Sequence, residues 1–114
     1  MSSRPRSGIV LPPPIASYFA ADTADAATVA GCFGENAVVV DEGRAHRGRA
    51  EIARWKADAT AKYDYTSEPI SLETSGRDAV VTARVTGEFP GSPAMLRYRF
   101  RLEGESIERL EITA

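Results

Sequence analysis

Leu96-Arg97-Tyr98-Arg99-Phe100-Arg101-Leu102 is the stretch that decides the fold. Leu96, Tyr98, Phe100 and Leu102 face one way, and Arg97, Arg99 and Arg101 face the other. That period of two is the signature of a β-strand with one apolar and one polar face. Strands of this kind belong to antiparallel sheets covered on a single side.

The neighbouring segments extend the same pattern. Pro90-Gly91-Ser92-Pro93 is a turn, and Ala79 to Phe89 before it reads as a strand with Val81, Ala83 and Val85 opposite Val80, Thr82 and Arg84. Ser75-Gly76-Arg77-Asp78 reads as a hairpin turn. Tyr63 to Thr74 is a further strand, and its Pro69 implies an edge position or a bulge. After Leu102, Gly104-Glu105 turns the chain into a last strand carrying Ile107, Leu110 and Ile112.

Upstream of Thr60 the period changes to that of helices. Pro13 to about Asp22 reads as a first helix with Ile15, Tyr18 and Phe19 on its buried side. Thr23 and Asp25 offer N-cap oxygens to a second helix whose apolar face is Val29, Cys32 and Phe33, with Gly34 as its stop. Ala37 to Val40 is a β-branched strand closed by the turn Asp41-Glu42-Gly43. A third helix starts near Gly48 and carries Ile52, Trp55 and Ala59. Helices followed by a run of hairpins predict an α+β domain, with the helices on one face of the sheet.

At 114 residues the chain has the size of one domain, and 43% hydrophobic residues suffice for one core. The expected organisation is a flexible leader over Met1–Leu11 and a single domain over 12–114. A net charge of −2 gives no electrostatic footprint for nucleic acid or an anionic membrane. The short run Gly8–Leu11 is too brief for a membrane span, so a cytoplasmic protein is expected. Cys32 is the only cysteine and His46 the only histidine, which excludes an intrachain disulfide and a thiolate or imidazole metal cluster. No metal or cofactor is expected.

The stretch Cys32-Phe33-Gly34-Glu35-Asn36-Ala37-Val38-Val39-Val40-Asp41, followed by Gly48-Arg49-Ala50-Glu51-Ile52 and Trp55, resembles the nuclear-transport-factor-2-like superfamily. It is most similar to the SnoaL-like and ketosteroid-isomerase-like branch, and the likeness covers residues 13 to 114. The resemblance implies a cystatin-like roll: a strongly curved, antiparallel or mixed sheet wrapped as a cone around three N-terminal helices, with an apolar pocket at its open end. It implies a small hydrophobic ligand and a homodimer through the outer sheet face, which here would carry Arg84, Glu88, Arg97, Arg99 and Arg101. The superfold hosts isomerases, dehydratases, cyclases, epoxide hydrolases and non-catalytic members.

Three residues are candidate catalytic groups. Asp41 closes an apolar strand and matches the general base of the isomerases. A carboxylate at such a mouth can shuttle a proton between carbons, though Asp-Glu-Gly is also good turn chemistry by itself. Tyr18 matches a first-helix tyrosine that donates to a developing oxyanion. Tyr98 falls closest to the late-strand acid of those enzymes, where a phenol could donate the same bond. Both phenols read more readily as core fillers than as catalytic groups. Phe33, Trp55, Phe89, Met95 and Phe100 are candidate pocket walls. The strand arginines alternate opposite Tyr98, hence outward, which argues against an Asp-Arg-Asp epoxide-hydrolase site. His46, in Arg44-Ala45-His46-Arg47, reads as a surface residue in an Arg-rich loop, and Cys32 as core.

Overall fold

The structure is a computed structural model, and it describes residues 10–21, 25–62 and 64–114. Three helices, α1 (Pro13–Ala21), α2 (Ala26–Gly31) and α3 (Gly48–Lys62), pack on one face of a six-stranded sheet. The strands are β1 (Phe33–Asp41), β2 (Arg44–Arg47), β3 (Tyr65–Ser75), β4 (Asp78–Gly87), β5 (Ala94–Glu103) and β6 (Ser106–Thr113), in the order β2-β1-β6-β5-β4-β3. All neighbours are antiparallel except β1 and β6, which run parallel and make the sheet mixed. The sheet is curved and unclosed, as in the nuclear-transport-factor-2-like cone.

Cross-strand register fixes what each face carries. Asp41, Ile112, Tyr98, Val81 and Leu72 form one row across the concave face. His46, Val39, Leu110, Phe100 and Ala79 form the next. Val39, Val81, Ala79, Phe100 and Leu110 from these rows are buried under Ile15, Tyr18, Val29, Ile52 and Trp55 of the helices. Burying an aliphatic or aromatic side chain contributes about 1.5–3 kcal/mol, so these rows are the main stabilising layer. The convex rows are polar: Glu111, Arg99, Val80 and Glu73 in one, Thr113, Arg97, Thr82 and Ser71 in another.

Pro69 lies on edge strand β3 at a register shift where Ile70 is the extra residue. A missing backbone donor is tolerated there. A second shift beside Arg101 and Leu102 explains the three-residue spacing of buried Ile107 and Leu110 on β6, which places both on the concave side. Gly87 is where β4 meets the start of β3: a Cβ would collide with the Asp64 carbonyl and stand 2.6 Å from Tyr65 Cβ.

Two boundaries differ from expectation. The helix α2 stops at Gly31, with the Cys32 N–H donating to the Val29 carbonyl, and Phe33 and Gly34 belong to β1. Phe33 is buried because it pairs with Ile107 of β6, not because it rides on a helix. Cys32 is half-buried at the helix end, donating to the Thr28 carbonyl at 3.6 Å, and burial pushes its thiol pKa up. Arg44–Arg47 is a strand, joined to β1 by the two-residue turn Glu42-Gly43, both at positive φ. Two consecutive left-handed residues match the twist of a tight hairpin. The N-cap of α2 is Asp25, whose side chain accepts from Ala27 N at 3.0 Å; Asp22, Thr23 and Tyr63 lie outside the described residues. Most of the expected leader does too, while Leu11 packs against the core.

Candidate functional site

Strand β1 and helix α3 bring the first two candidate groups together. Asp41 ends β1 on the concave face, half-buried. Trp55 of α3 lies over it and donates its indole Nε1–H to Asp41 Oδ2 at 3.0 Å. The helix is held in place by its own first turn. Gly48 takes a left-handed φ of 83°, Glu51 accepts from Arg47 N at 2.9 Å, and Arg49 Nε donates to the Phe33 carbonyl at 2.9 Å. The Gly-Arg-x-x-Ile pattern is thus a clamp between the start of α3 and the start of β1, with Ile52 buried beneath it.

The phenols group elsewhere in the same interior. Tyr18 of α1 is fully buried, with ring centroids 6.1 Å from Phe33, 5.6 Å from Phe100 and 6.3 Å from Tyr98. Tyr98 also meets Phe19 edge-on at 5.1 Å and stacks with Phe100 at 6.4 Å. Register places Tyr98 two strands from Asp41, with Ile112 between them. At 4.7–4.9 Å per strand their backbones lie roughly 10 Å apart. Tyr18, Tyr98, Phe33 and Phe100 therefore form one aromatic cluster, and Asp41 and Trp55 a second group at the β2 side of the sheet.

Lys56 lies between the two groups, a residue that sequence reasoning left unassigned. It is 3% exposed. Its Nζ donates to the Tyr65 hydroxyl at 2.6 Å and sits 5.6, 5.3 and 5.2 Å from the ring centres of Tyr18, Trp55 and Tyr65. Ring faces are electron-rich and attract a cation, by about 2 kcal/mol or more when water is excluded. Its position, four residues after Ile52 and one after Trp55, lies on the buried stripe of α3, and that spacing was the available signal.

His46 is the second residue that the structure moves. Being opposite buried Val39, it faces inward from β2 and is half-buried. Its ring centre lies 6.1 Å from that of Trp55, with planes inclined at 34°. It is not a loop residue.

The remaining candidate walls divide. Phe89, beyond β4, is half-buried and packs against the core. Met95 pairs with Arg84 and is 50% exposed. Strand parity puts it with Arg97 and Arg99 on the convex face, so it cannot line the interior of the cone. Arg84, Arg97, Arg99 and Arg101 are all exposed. A depression of about 130 Å³ on that face, lined by Val80, Arg97, Arg99, Glu111 and Thr113, is below the ~300 Å³ of small-molecule sites. Among the described residues, no helix is long and apolar enough to cross a membrane, and no three His, Cys, Asp or Glu side chains group as a metal site.

Known structures share this architecture. A proposed polyketide cyclase from Sinorhizobium meliloti is 40% identical, with a TM-score of 0.86 over 90% of this chain and 95% of its own. A protein with a ketosteroid-isomerase-like fold from Catenulispora acidiphila, solved with trimethylamine, is 21% identical, with a TM-score of 0.82 over 92% and 87% of the two chains. A nuclear-transport-factor-2-like protein of unknown function from Cytophaga hutchinsonii is 14% identical, with a TM-score of 0.70 over 99% and 93%. No curated protein matches the chain significantly. The model of the SnoaL-like domain matches residues 15–109, from the first turn of α1 into β6, and with this fold and that match the chain belongs to the SnoaL-like family.

Proposed function

We propose that this protein is a cofactor-free enzyme acting on a small hydrophobic carbonyl compound, with Asp41 as general base. The supporting observation is the Trp55–Asp41 hydrogen bond on the concave face. It holds one carboxylate oxygen in place, and in this reading the other takes up the proton. A held carboxylate can take a proton from the carbon beside a carbonyl, the step that opens isomerisation, dehydration and aldol cyclisation alike. Cyclisation enters because the Sinorhizobium meliloti relative is a proposed polyketide cyclase.

In this reading Tyr18 and Tyr98 stabilise the enolate oxygen, and the buried ammonium of Lys56 supplies positive charge beside them. Phe33, Trp55, Phe89 and Phe100 shape the apolar site. Two copies pair through the polar convex face, and the protein acts in the cytoplasm. A second reading, a ligand-binding or dimerisation module without catalysis, draws on the burial of Tyr18 and Tyr98 in an aromatic cluster that serves packing equally well.

The test is conversion of β,γ-unsaturated ketones to their conjugated isomers, and α-proton exchange of simple ketones in D₂O. Asp41→Asn should lower exchange by at least about 100-fold. Wild-type exchange that survives this substitution removes Asp41 from the chemistry; absence of exchange in the wild type supports the binding module.

A further inference from the structure

The β1–β2 hairpin presents two proton-transferring side chains to one side. Val39 and Asp41 both lie on concave rows, and His46 is the partner of Val39, so Asp41 and His46 are diagonal neighbours across the hairpin. Such positions are about 7–8 Å apart at the backbone. Both side chains are half-buried, hence reachable from solvent. One indole touches both: Trp55 gives its N–H to Asp41 and its ring to His46. Among the described residues none hydrogen-bonds to the imidazole.

We infer that His46 is a second proton-transfer residue, and that the reaction is elimination of water from a β-hydroxy carbonyl compound. This rests on the reading of Asp41 as base. An isomerase needs one base, because the carboxylate that removes the proton can return it to another carbon. Elimination needs an acid as well, because hydroxide leaves poorly unless it is protonated as it departs.

The step balances with these two groups alone. The Asp41 carboxylate takes the proton from the carbon beside the carbonyl, and the freed electron pair becomes the carbon–carbon double bond. The bond from the β-carbon to its hydroxyl breaks, and its electron pair leaves on oxygen. The imidazolium of His46 gives that oxygen a proton, releasing water. Asp41 ends protonated and His46 neutral, and one proton passing between them through solvent restores the starting state. The substrate class is a small β-hydroxy ketone.

The probe is 3-hydroxycyclohexanone in D₂O, with two readouts by NMR: deuterium entry at the carbon between the two functional groups, and appearance of the enone. The wild type should show both. Asp41→Asn should lose both. His46→Gln should lower the ratio of elimination to exchange by about 100-fold, the usual contribution of a positioned acid. His46→Asn should do the same.

An unchanged ratio in the His46 variants overturns the inference and leaves Asp41 as base. Exchange without elimination in the wild type does so too. No exchange in the wild type, or exchange that persists in Asp41→Asn, overturns the reading of Asp41 and the inference with it. Loss of exchange in both His46 variants with unchanged circular dichroism makes His46 a support of the hairpin, and the inference falls.

Discussion

Replacing Trp55 by Phe tests the one bond on which the proposed base depends. The substitution keeps an aromatic ring over Asp41 and removes the indole N–H that donates to Oδ2 at 3.0 Å. A hydrogen bond to a charged group contributes about 1.5–3 kcal/mol when both partners are buried. Asp41 is half-buried and regains water when the donor goes, so the expected loss is about 1 kcal/mol. Trp55 is 8% exposed, and the smaller ring leaves space that costs a further ~1 kcal/mol.

Urea unfolding followed by far-ultraviolet circular dichroism should therefore show Trp55→Phe destabilised by about 2 kcal/mol. A double-mutant cycle with Asp41→Ala separates the two contributions. Alanine is chosen because asparagine would still accept from the indole. A coupling of about 1 kcal/mol is expected. If the two substitutions add to within ~0.4 kcal/mol, the bond does not hold the carboxylate in solution and the reasoning fails. With the bond gone, ketone exchange should also slow by about tenfold, equivalent to ~1.4 kcal/mol of barrier.

Gly87→Ala should destabilise the fold by about 3 kcal/mol in the same urea assay, because the new methyl group meets the Asp64 carbonyl and Tyr65 at the mouth of the β3–β4 pair. Asp25→Ala removes the cap of α2 and should cost about 1 kcal/mol, read as a lower thermal midpoint. Asp78 is held below its ordinary pKa, first by its hydrogen bond from Arg101 and then by the charges of Arg101, Arg77 and Arg99. Because the folded pKa is lowered, its contribution is present above the unfolded value and fades as the pH falls through the folded one. Asp78→Asn should therefore flatten stability against pH on the acid side, and the difference should shrink in high salt because the pair is exposed. Cys32, its thiol raised by burial, should react with iodoacetamide more slowly in the native protein than in urea; equal rates would contradict the burial.

Strand alternation carried most of the fold into view. The stretch Leu96–Leu102 named its own two faces, and the structure keeps Tyr98 and Phe100 inside and the arginines outside. The end of α2 was harder to read, because Val29, Cys32 and Phe33 satisfy helical spacing while Phe33 obeys a pairing with Ile107 far along the chain. Strand β2 has no apolar alternation of its own; only its register against β1 makes His46 face inward. Lys56 was hidden by its charge, which suggests solvent until the rings of Tyr18, Trp55 and Tyr65 are seen around it. Met95 was legible: it shares the parity of Arg97, and that parity outweighs its apolar side chain.

The parallel pairing of β1 with β6 has a consequence for how the protein forms. The hairpin that bears Asp41 and His46 pairs with no other strand of the sheet except β6. During synthesis it emerges early and then waits, the β1 edge that β6 will pair with still open, while four more strands are made. Contacts so distant in sequence close late and slowly. A nascent chain lacking β6 holds two separate pieces, the β1–β2 hairpin with its helices and the β3–β4–β5 meander. The catalytic half of the proposed site is thus the last part of the sheet to be joined, and the early hairpin is the segment with the longest exposure to chaperones and to misassociation.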